Sequence, residues 1–506
     1  MLARVRSAGL HGIHAAAVWV EVDVVHGLPS FSTVGLPDSS VRESRDRIRA
    51  AIHNSGFEFP IERITVSLAP AEMRKVGPAF DLPMAVGILA TSGLVKPALL
   101  ESSTVVGEVA LDGGLRPVRG ALPMALHCRR ERVARLVLPA GNAAECAVVA
   151  GLDVIPVASL REAVEYLNGE RAVIPPATAP LVAGPTAGDG ADFAEVRGQA
   201  HAKRALEIAA AGGHNVLMVG PPGAGKTMLA RRLPTILPPP NLDEAIEVSA
   251  IWSVAGLLPP GRGLVGSRPF RAPHHTISDA ALVGGGSGLP HPGEVSLAHL
   301  GVLFLDEMPE FSRRVLECLR QPLEDGEVTV ARAAGSAAFP ARFQLVAAAN
   351  PCRRACPSLE GCVCTPAERE QYLGRLSGPL LDRIDLHLEL PPVDMADLTG
   401  DAGGEPSATI RARVEAARGR QGARFRGSAV RVNARMNARL LRRWCVLPPE
   451  SSALLARAVK RLGLSARAYH RILRVARTVA DLAGSEAIRT EHVAEAVQYR
   501  TLDRSG

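Results

Sequence analysis

Several things are scarce in this sequence. With 11 Phe, 4 Tyr and 3 Trp in 506 residues, aromatics are too few for the base-stacking platforms of single-strand-binding proteins. Only five of the 58 basic residues are lysines (75, 96, 203, 226 and 460), a bias for which genome base composition is the simplest explanation. No run approaches the ~18 consecutive apolar residues of a membrane helix. The opening MLARVRSAGLHGIH has no hydrophobic stretch followed by a small-residue cleavage site, so a cytoplasmic location is expected. Eight cysteines are too few for a disulfide scaffold, and four of them crowd between Cys352 and Cys364, which points to a reducing compartment and a candidate metal site.

What is present is a globular balance, 47% hydrophobic and 22% charged, and a length that at about 150 residues per domain suggests three domains. The net charge of +7 is uneven. Residues 411–506 carry 21 Lys plus Arg against 7 Asp plus Glu, a balance of +14 that leaves the first 410 residues at −7. Residues 172–191 (AVIPPATAPLVAGPTAGDGA) and 393–408 (VDMADLTGDAGGEPSA) have no periodicity and read as linkers. They divide the chain into modules at 1–171, 192–392 and 409–506. In the first, β-branched runs (WVEVDVV, ITVSL, TVVGEVAL, RLVLP) alternate with helical patterns such as residues 39–55. In the second, the strand-like NVLMVG, GVLFLDE and FQLVAAAN are separated by helical segments, as in a parallel sheet covered on both faces. The third reads as helical throughout, as in AYHRILRVARTVADLAG.

The middle module carries the chemistry. A buried strand at 215–219 runs into Gly220, Pro221, Pro222, Gly223, Ala224, Gly225, Lys226 and Thr227, followed by a helical segment. This is the phosphate-binding loop GxxxxGK[ST] in its strand, loop, helix context. Its glycines let backbone N–H groups turn toward the phosphates of ATP, Lys226 reaches the β and γ phosphates, and the Thr227 hydroxyl ligates Mg²⁺. A second strand, at 302–305, ends in Asp306 and Glu307. Asp306 suits the Mg²⁺ shell, and Glu307 suits the base that orients the attacking water. A third, at 343–349, ends in Asn350, whose neutral amide can hold that water without adding charge.

This order of motifs, followed by SGPLLDRID (377–385), resembles an AAA+ ATPase. The segments FRAPHHTISDAALVGGG (270–286), PGEVSLAHLGVLFLDE (292–307), LRQPLEDGEVTVAR (319–332) and FPARFQLVAAANPC (339–352) resemble the magnesium-chelatase-like branch, in particular its ComM-type, or YifB-type, proteins. The resemblance implies an α/β fold with an AAA+ P-loop parallel sheet, an all-α lid at 409–506, and a ring, usually a hexamer, with ATP sites between subunits. Arg383 is similar to the family's arginine finger, offered to the neighbour's γ-phosphate by a group that stays charged and can contact two oxygens. Arg467 resembles the second sensor arginine of the lid. Arg471, one helical turn later on the same face, is the alternative.

Lys226 and Asp306 are 80 residues apart, which leaves room for an insertion at 256–288 with Arg262, Arg268, Arg271, His274 and His275. Residues 328–342 read as a hairpin. In related motors such inserts line the channel that grips the polymer, so Arg332 and Arg342 are candidates for phosphate contacts, with solvated surface arginines as the alternative.

KVGPA (75–79), GEVAL (107–111) and LRPVRGAL (115–122) resemble the proteolytic, ribosomal-S5-like α+β domain of Lon. Matching puts Ala79 at the nucleophile and Leu122 at the base, which leaves no group for acyl transfer. The run VRESRDRIRAAIHNSG (41–56) reads as a solvated helical face. Cys352, Cys356, Cys362 and Cys364 are spaced C-x₃-C-x₅-C-x-C rather than as CxxC pairs. Relatives more often carry Pro-Cys-Pro-Cys-Gly here, and Arg354 replaces the second of those cysteines. Structural zinc and free loop thiols both remain open.

The function this implies is an ATP-driven motor on branched or single-stranded DNA, a branch-migration helicase of natural transformation or recombination. The alternative is a protein-remodelling motor like the magnesium chelatase ATPase subunit, which in the family pattern lacks the Lon-like module. An ATP-dependent protease is disfavoured by Ala79 and Leu122.

Overall fold

The computed structural model describes residues 1–176, 190–259, 261, 263–286, 290–332, 335–356, 362–392 and 404–500. Most of the expected first linker, the greater part of the second, and Arg262 lie outside the described residues.

The first residues form a long hairpin. β1 (Leu2–His11) pairs antiparallel with β2 (His14–Val25), from Leu2 opposite Asp23 to His11 opposite His14. Small residues such as Ser7 and Ala8 fill the buried positions of β1, so its alternation is faint in the sequence. β3 (Ser30–Val34), β4 (Arg63–Ala69), β5 (Ser103–Val105), β8 (Arg135–Pro139) and β9 (Asp153–Val157) complete a seven-stranded sheet of order β3-β4-β2-β1-β5-β8-β9, while β6 (Glu108–Val109) and β7 (Leu115–Arg116) pair separately. The ladders β1/β2 and β2/β4 are antiparallel and the others parallel. Helices Ser39–Asn54 and Asp81–Thr91 pack near this sheet. The charged face of the first is not wholly solvated, contrary to expectation. Arg47 Nε lies 2.9 Å from Asp81 Oδ2 and Ser44 Oγ lies 2.5 Å from Asp81 Oδ1, because a buried carboxylate requires a cation and donors.

The second sheet is parallel throughout, in the order β11-β14-β17-β10-β18. In chain order its region contains β10 (Val216–Val219), β11 (Phe270–Arg271), the short pair β12 (Gly284–Gly285) and β13 (His291–Pro292), β14 (Val302–Leu305), the hairpin β15 (Glu327–Arg332) with β16 (Gly335–Pro340), β17 (Gln344–Ala349) and β18 (Leu386–Glu389). The expected hairpin is present, Glu327 opposite Pro340 and Arg332 opposite Gly335. Side chains alternate across the sheet. Met218, Phe304 and Val346 join one core, and Leu217, Leu303 and Leu345 the other. Gly301 permits the approach of β11 to β14, since a Cβ there would stand 2.1 Å from the Pro269 carbonyl oxygen, the acceptor of the Val302 N–H at 2.7 Å.

The described residues from 404 to 500 contain helices and no strand, the longest being Ser407–Arg424, Pro449–Leu462 and Ala466–Leu482. They share one continuous core with a face of the parallel sheet. Residues 404–408, expected as linker, are instead fixed: Gly404 N–H donates to Ala194 O at 2.9 Å, and Ser407 Oγ accepts from Phe193 N–H at 2.8 Å. The first module is also attached to the second. Gly120 N–H donates to Ser253 O at 3.0 Å, Ser253 Oγ donates to Glu145 at 2.6 Å, and Ala250 and Leu264 enter a core with Leu122 and Leu136. Burial raises the Glu145 pKa, with Ser253 and Asn142 opposing. Among the described residues no helix is long and apolar enough to cross a membrane.

Candidate functional site

Three adjacent parallel strands, β14, β17 and β10, end at one edge, where ligands of open α/β sheets bind. Gly223 and Gly225 take φ of +79° and +83°, left-handed values at which a glycine carries no Cβ penalty, and the chain then turns into helix Lys226–Ile236. Lys226 Nζ donates to Gly220 O at 2.6 Å, Pro221 O at 2.8 Å and Asn350 Oδ1 at 3.1 Å. Thr227 Oγ1 donates to Asp306 Oδ2 at 2.8 Å, and Glu307 N–H to Asp306 Oδ1 at 3.0 Å. The structure thus brings together Lys226, Thr227, Asp306, Glu307 and Asn350. Burial lowers the Lys226 pKa, with Asp306 and Glu307 opposing.

Glu307 has φ +50°, a left-handed conformation that costs a non-glycine residue about 1–2 kcal/mol. Its carboxylate lies 3.7 Å from His275 Nδ1, and the His275 ring is 4.1 Å from that of His274. Sequence reasoning put His275 with the insertion and missed this contact. It also missed Tyr372, which is buried with its hydroxyl against the Asn350 backbone. Both meet the site only through the fold.

The donor set fits a nucleotide and a hard divalent cation. An ammonium, turning backbone N–H groups and a helix N-terminus suit phosphate, and a hydroxyl paired with a carboxylate suits Mg²⁺. Lys226 and the loop would hold the phosphates, and Thr227 and Asp306 the Mg²⁺, which would supply charge neutralisation on the phosphoryl oxygens.

Arg383 does not reach the loop of its own chain through any described hydrogen bond. Its guanidinium pairs with Glu324 and donates to Pro379 O at 2.7 Å, while its Nε is buried with no partner among the described residues. The two sensor candidates separate clearly. Arg467 is 70% exposed and 3.8 Å from Asp382. Arg471 is 16% exposed and 2.5 Å from Asp385, whose carboxylate also accepts from Asn215 N–H at 3.1 Å and lies 3.4 Å from His214 Nδ1. Burial opposes the Asp385 charge, yet Arg471 and His214 hold its pKa far below the usual carboxylate range.

Within the insertion, Arg268 and Arg271 are neutralised by Glu244 at 2.8 Å and Glu294 at 2.6 Å, whereas Arg332 and Arg342 are exposed on or beside the hairpin. Ala79 and Leu122 are buried. Ala79 lines a cavity of about 400 Å³ together with Gly77, Glu108, Arg119 and His291. Cys352, Cys356, Cys362 and Cys364 converge despite their spacing, with all four Sγ atoms within 4.8 Å of one another. Burial opposes the Cys352 thiolate, but the Cys356 N–H and the other thiols donate to it and bring its pKa down to about 7, while Cys364 is pushed up to about 11.

Family models described as magnesium chelatase subunit ChlI match residues 192–398, its C-terminal part residues 404–500, and the subunit ChlI of Mg-chelatase residues 20–142. The chain is 45% identical to the competence protein ComM of Haemophilus influenzae, over 99% of this chain and 98% of that protein. It is 43% identical to YifB of Escherichia coli over 97% and 96% of the two chains. The magnesium-chelatase 38 kDa subunit of Rhodobacter capsulatus is 28% identical over 31% of this chain and 50% of its own length.

Proposed function

This chain belongs to the ComM/YifB-type magnesium-chelatase-like family, and on that premise we propose that it is an ATP-hydrolysing ring motor that acts on DNA. The specific reading is a cytoplasmic hexamer that migrates DNA branches during natural transformation or recombination. The observation that carries the ATPase part is the convergence of Lys226, Thr227, Asp306 and Asn350 at one sheet edge. The full-length likeness to a protein named for competence supports the DNA part. In this reading Glu307 orients the water, Asn350 positions it, Thr227 and Asp306 hold Mg²⁺, and Lys226 neutralises phosphate charge. Arg383 serves the neighbouring subunit, and Arg467 on the helical lid senses the nucleotide. The Lon-like first module, with Ala79 and Leu122 in place of reactive groups, acts in ring assembly or in guiding DNA. Arg332 and Arg342 contact phosphates, and the four convergent thiols form a structural zinc site.

A protein-remodelling motor is the second reading. It is favoured by the family models, all three of which are named for the chelatase subunit, including the one over residues 20–142 that was expected to lie outside it. ATP-dependent unwinding of a Holliday junction, lost in Glu307→Gln, is the expected result. A pure protein that hydrolyses ATP with no response to forked DNA even at low salt would exclude the DNA motor and leave remodelling.

A further inference from the structure

We infer that Cys352, Cys356, Cys362 and Cys364 hold one tetrahedral zinc ion whose task is to keep Asn350 and Tyr372 in place beside the hydrolytic site; this deepens the zinc and ATPase readings above and rests on both. Zinc–sulfur bonds of about 2.3 Å set the edges of a ZnS₄ tetrahedron at about 3.8 Å. The four Sγ atoms, all within 4.8 Å of one another, need only a small contraction to reach it. Ligands around a cluster of several irons must stand further apart, because the cluster itself lies between them. None of the four is disulfide-bonded. Their environment is the second argument: among the described residues, the apolar cluster at this point of the fold consists of buried Cys352, Cys356 and Cys364 with half-buried Cys362 packed against them. A segment with no apolar core of its own needs a staple. Backbone N–H groups already point at the sulfurs, Cys356 N–H lying 3.3 Å from Cys352 Sγ and that of Arg354 reaching Cys364, the outer contacts that spread thiolate charge at such centres.

The knot joins two pieces of the site. Cys352 follows closely on Asn350, whose amide oxygen accepts from Lys226. Cys364 precedes Thr365, the cap of helix Pro366–Leu373. That helix brings Tyr372 against the Asn350 backbone. Just beyond it, Arg375 Nη1 donates to Pro309 O and Glu310 Oε2, both at 3.2 Å, in the turn after Glu307. A closed knot therefore fixes the strand end that carries Asn350 relative to the helix that braces the Glu307 turn. Tyr372 is thus a positioning residue.

The full-length protein, purified with zinc present, is to be measured for metal by inductively coupled plasma mass spectrometry, for binding of a fluorescent ATP analogue, and for phosphate release. About one zinc per chain is expected. Cys352→Ser with Cys364→Ser should lose the metal and lower kcat about tenfold or more, with nucleotide affinity within about threefold. Cys364→His, which keeps a zinc ligand, should retain the metal and most of the turnover. Tyr372→Phe should retain zinc and lower kcat without raising KM. Absence of metal, or iron in its place, overturns the zinc site. Wild-type turnover in the metal-free protein overturns the positioning role, and if that protein does not fold, wild-type kcat in Tyr372→Phe does so. A zinc-loaded wild-type protein that does not hydrolyse ATP overturns the ATPase reading and the positioning built on it, and leaves the metal site standing.

Discussion

Arg467 and Arg471 share one helical face, and substituting each by methionine tests the proposal that the first senses nucleotide while the second is a structural strut. Asp385 is 2% exposed and faces Arg471 at 2.5 Å. Removing one partner of a buried ion pair costs about 3–5 kcal/mol. Asn215 N–H and His214 still contact the carboxylate after the change, which reduces the expected cost of Arg471→Met to about 2–3 kcal/mol. At about 2–4 °C per kcal/mol for domains of this size, the melting transition should fall by about 5–10 °C. Arg467 is 70% exposed, so Arg467→Met should move stability by no more than about 0.5 kcal/mol while lowering ATP turnover. The pH dependence adds a second signature. Because the folded pKa of Asp385 is depressed, its contribution is complete above the unfolded value near about 4 and is lost as pH falls through the folded value. The penalty in Arg471→Met should thus be similar at pH 7 and 8 and shrink on the acid side, where the stranded carboxylate takes up a proton. Differential scanning fluorimetry and phosphate release on both variants are sufficient. A stable, inactive Arg471→Met beside an unstable, active Arg467→Met would reverse the assignment.

Gly301→Ala should destabilise the parallel sheet by about 1–3 kcal/mol, since its Cβ meets the Pro269 carbonyl; an unchanged urea midpoint would contradict the docking of β11. Arg383→Ala and Glu307→Gln should each abolish hydrolysis when pure, and mixing the two should restore part of it if the finger acts across subunits. No recovery in such mixtures would place Arg383 in its own chain's chemistry. Replacing Arg332 and Arg342 by alanine should weaken DNA binding and reduce the slope of log K against log salt by up to about 2, whereas an unchanged slope would make them ordinary surface arginines.

The phosphate loop, the acidic strand end and the Asn350 strand were legible because each is a local pattern: an apolar run buried in the sheet, ending in the polar group it delivers. The hairpin at 328–342 was legible for the same reason. Contacts between distant segments were not. His275 meets Glu307, and Tyr372 meets Asn350, through loops whose paths no periodicity records. The cysteines illustrate the same limit, since their spacing departs from paired ligands while their sulfurs converge. Arg467 and Arg471 are equivalent on a helical wheel and differ only in what packs against them. β1 was missed because small residues occupy its buried positions. The expected linker end at 404–408 was misread because the hydroxyl of Ser407 and the backbone of Gly404 find partners more than 200 residues away.

Helix Leu242–Ala255 has a consequence for how the first module can be studied. It belongs to the ATPase region by sequence, yet Ala250 and Ser253 are spent on the core and the hydrogen bonds of the preceding module. Cutting the chain at the linker would bare that apolar face to water and remove the Glu145 partner of the Ser253 hydroxyl, leaving the Ser253 carbonyl with the Gly256 N–H of its own helix. A shortened protein that aggregates or loses ATP turnover would then report an injured helix, and would say nothing of what the first 171 residues do. Glu145→Gln or Ser253→Ala, which weaken the side-chain hydrogen bond across the seam without truncating either body, are the cleaner way to ask whether motion at the nucleotide edge is carried into the seven-stranded sheet.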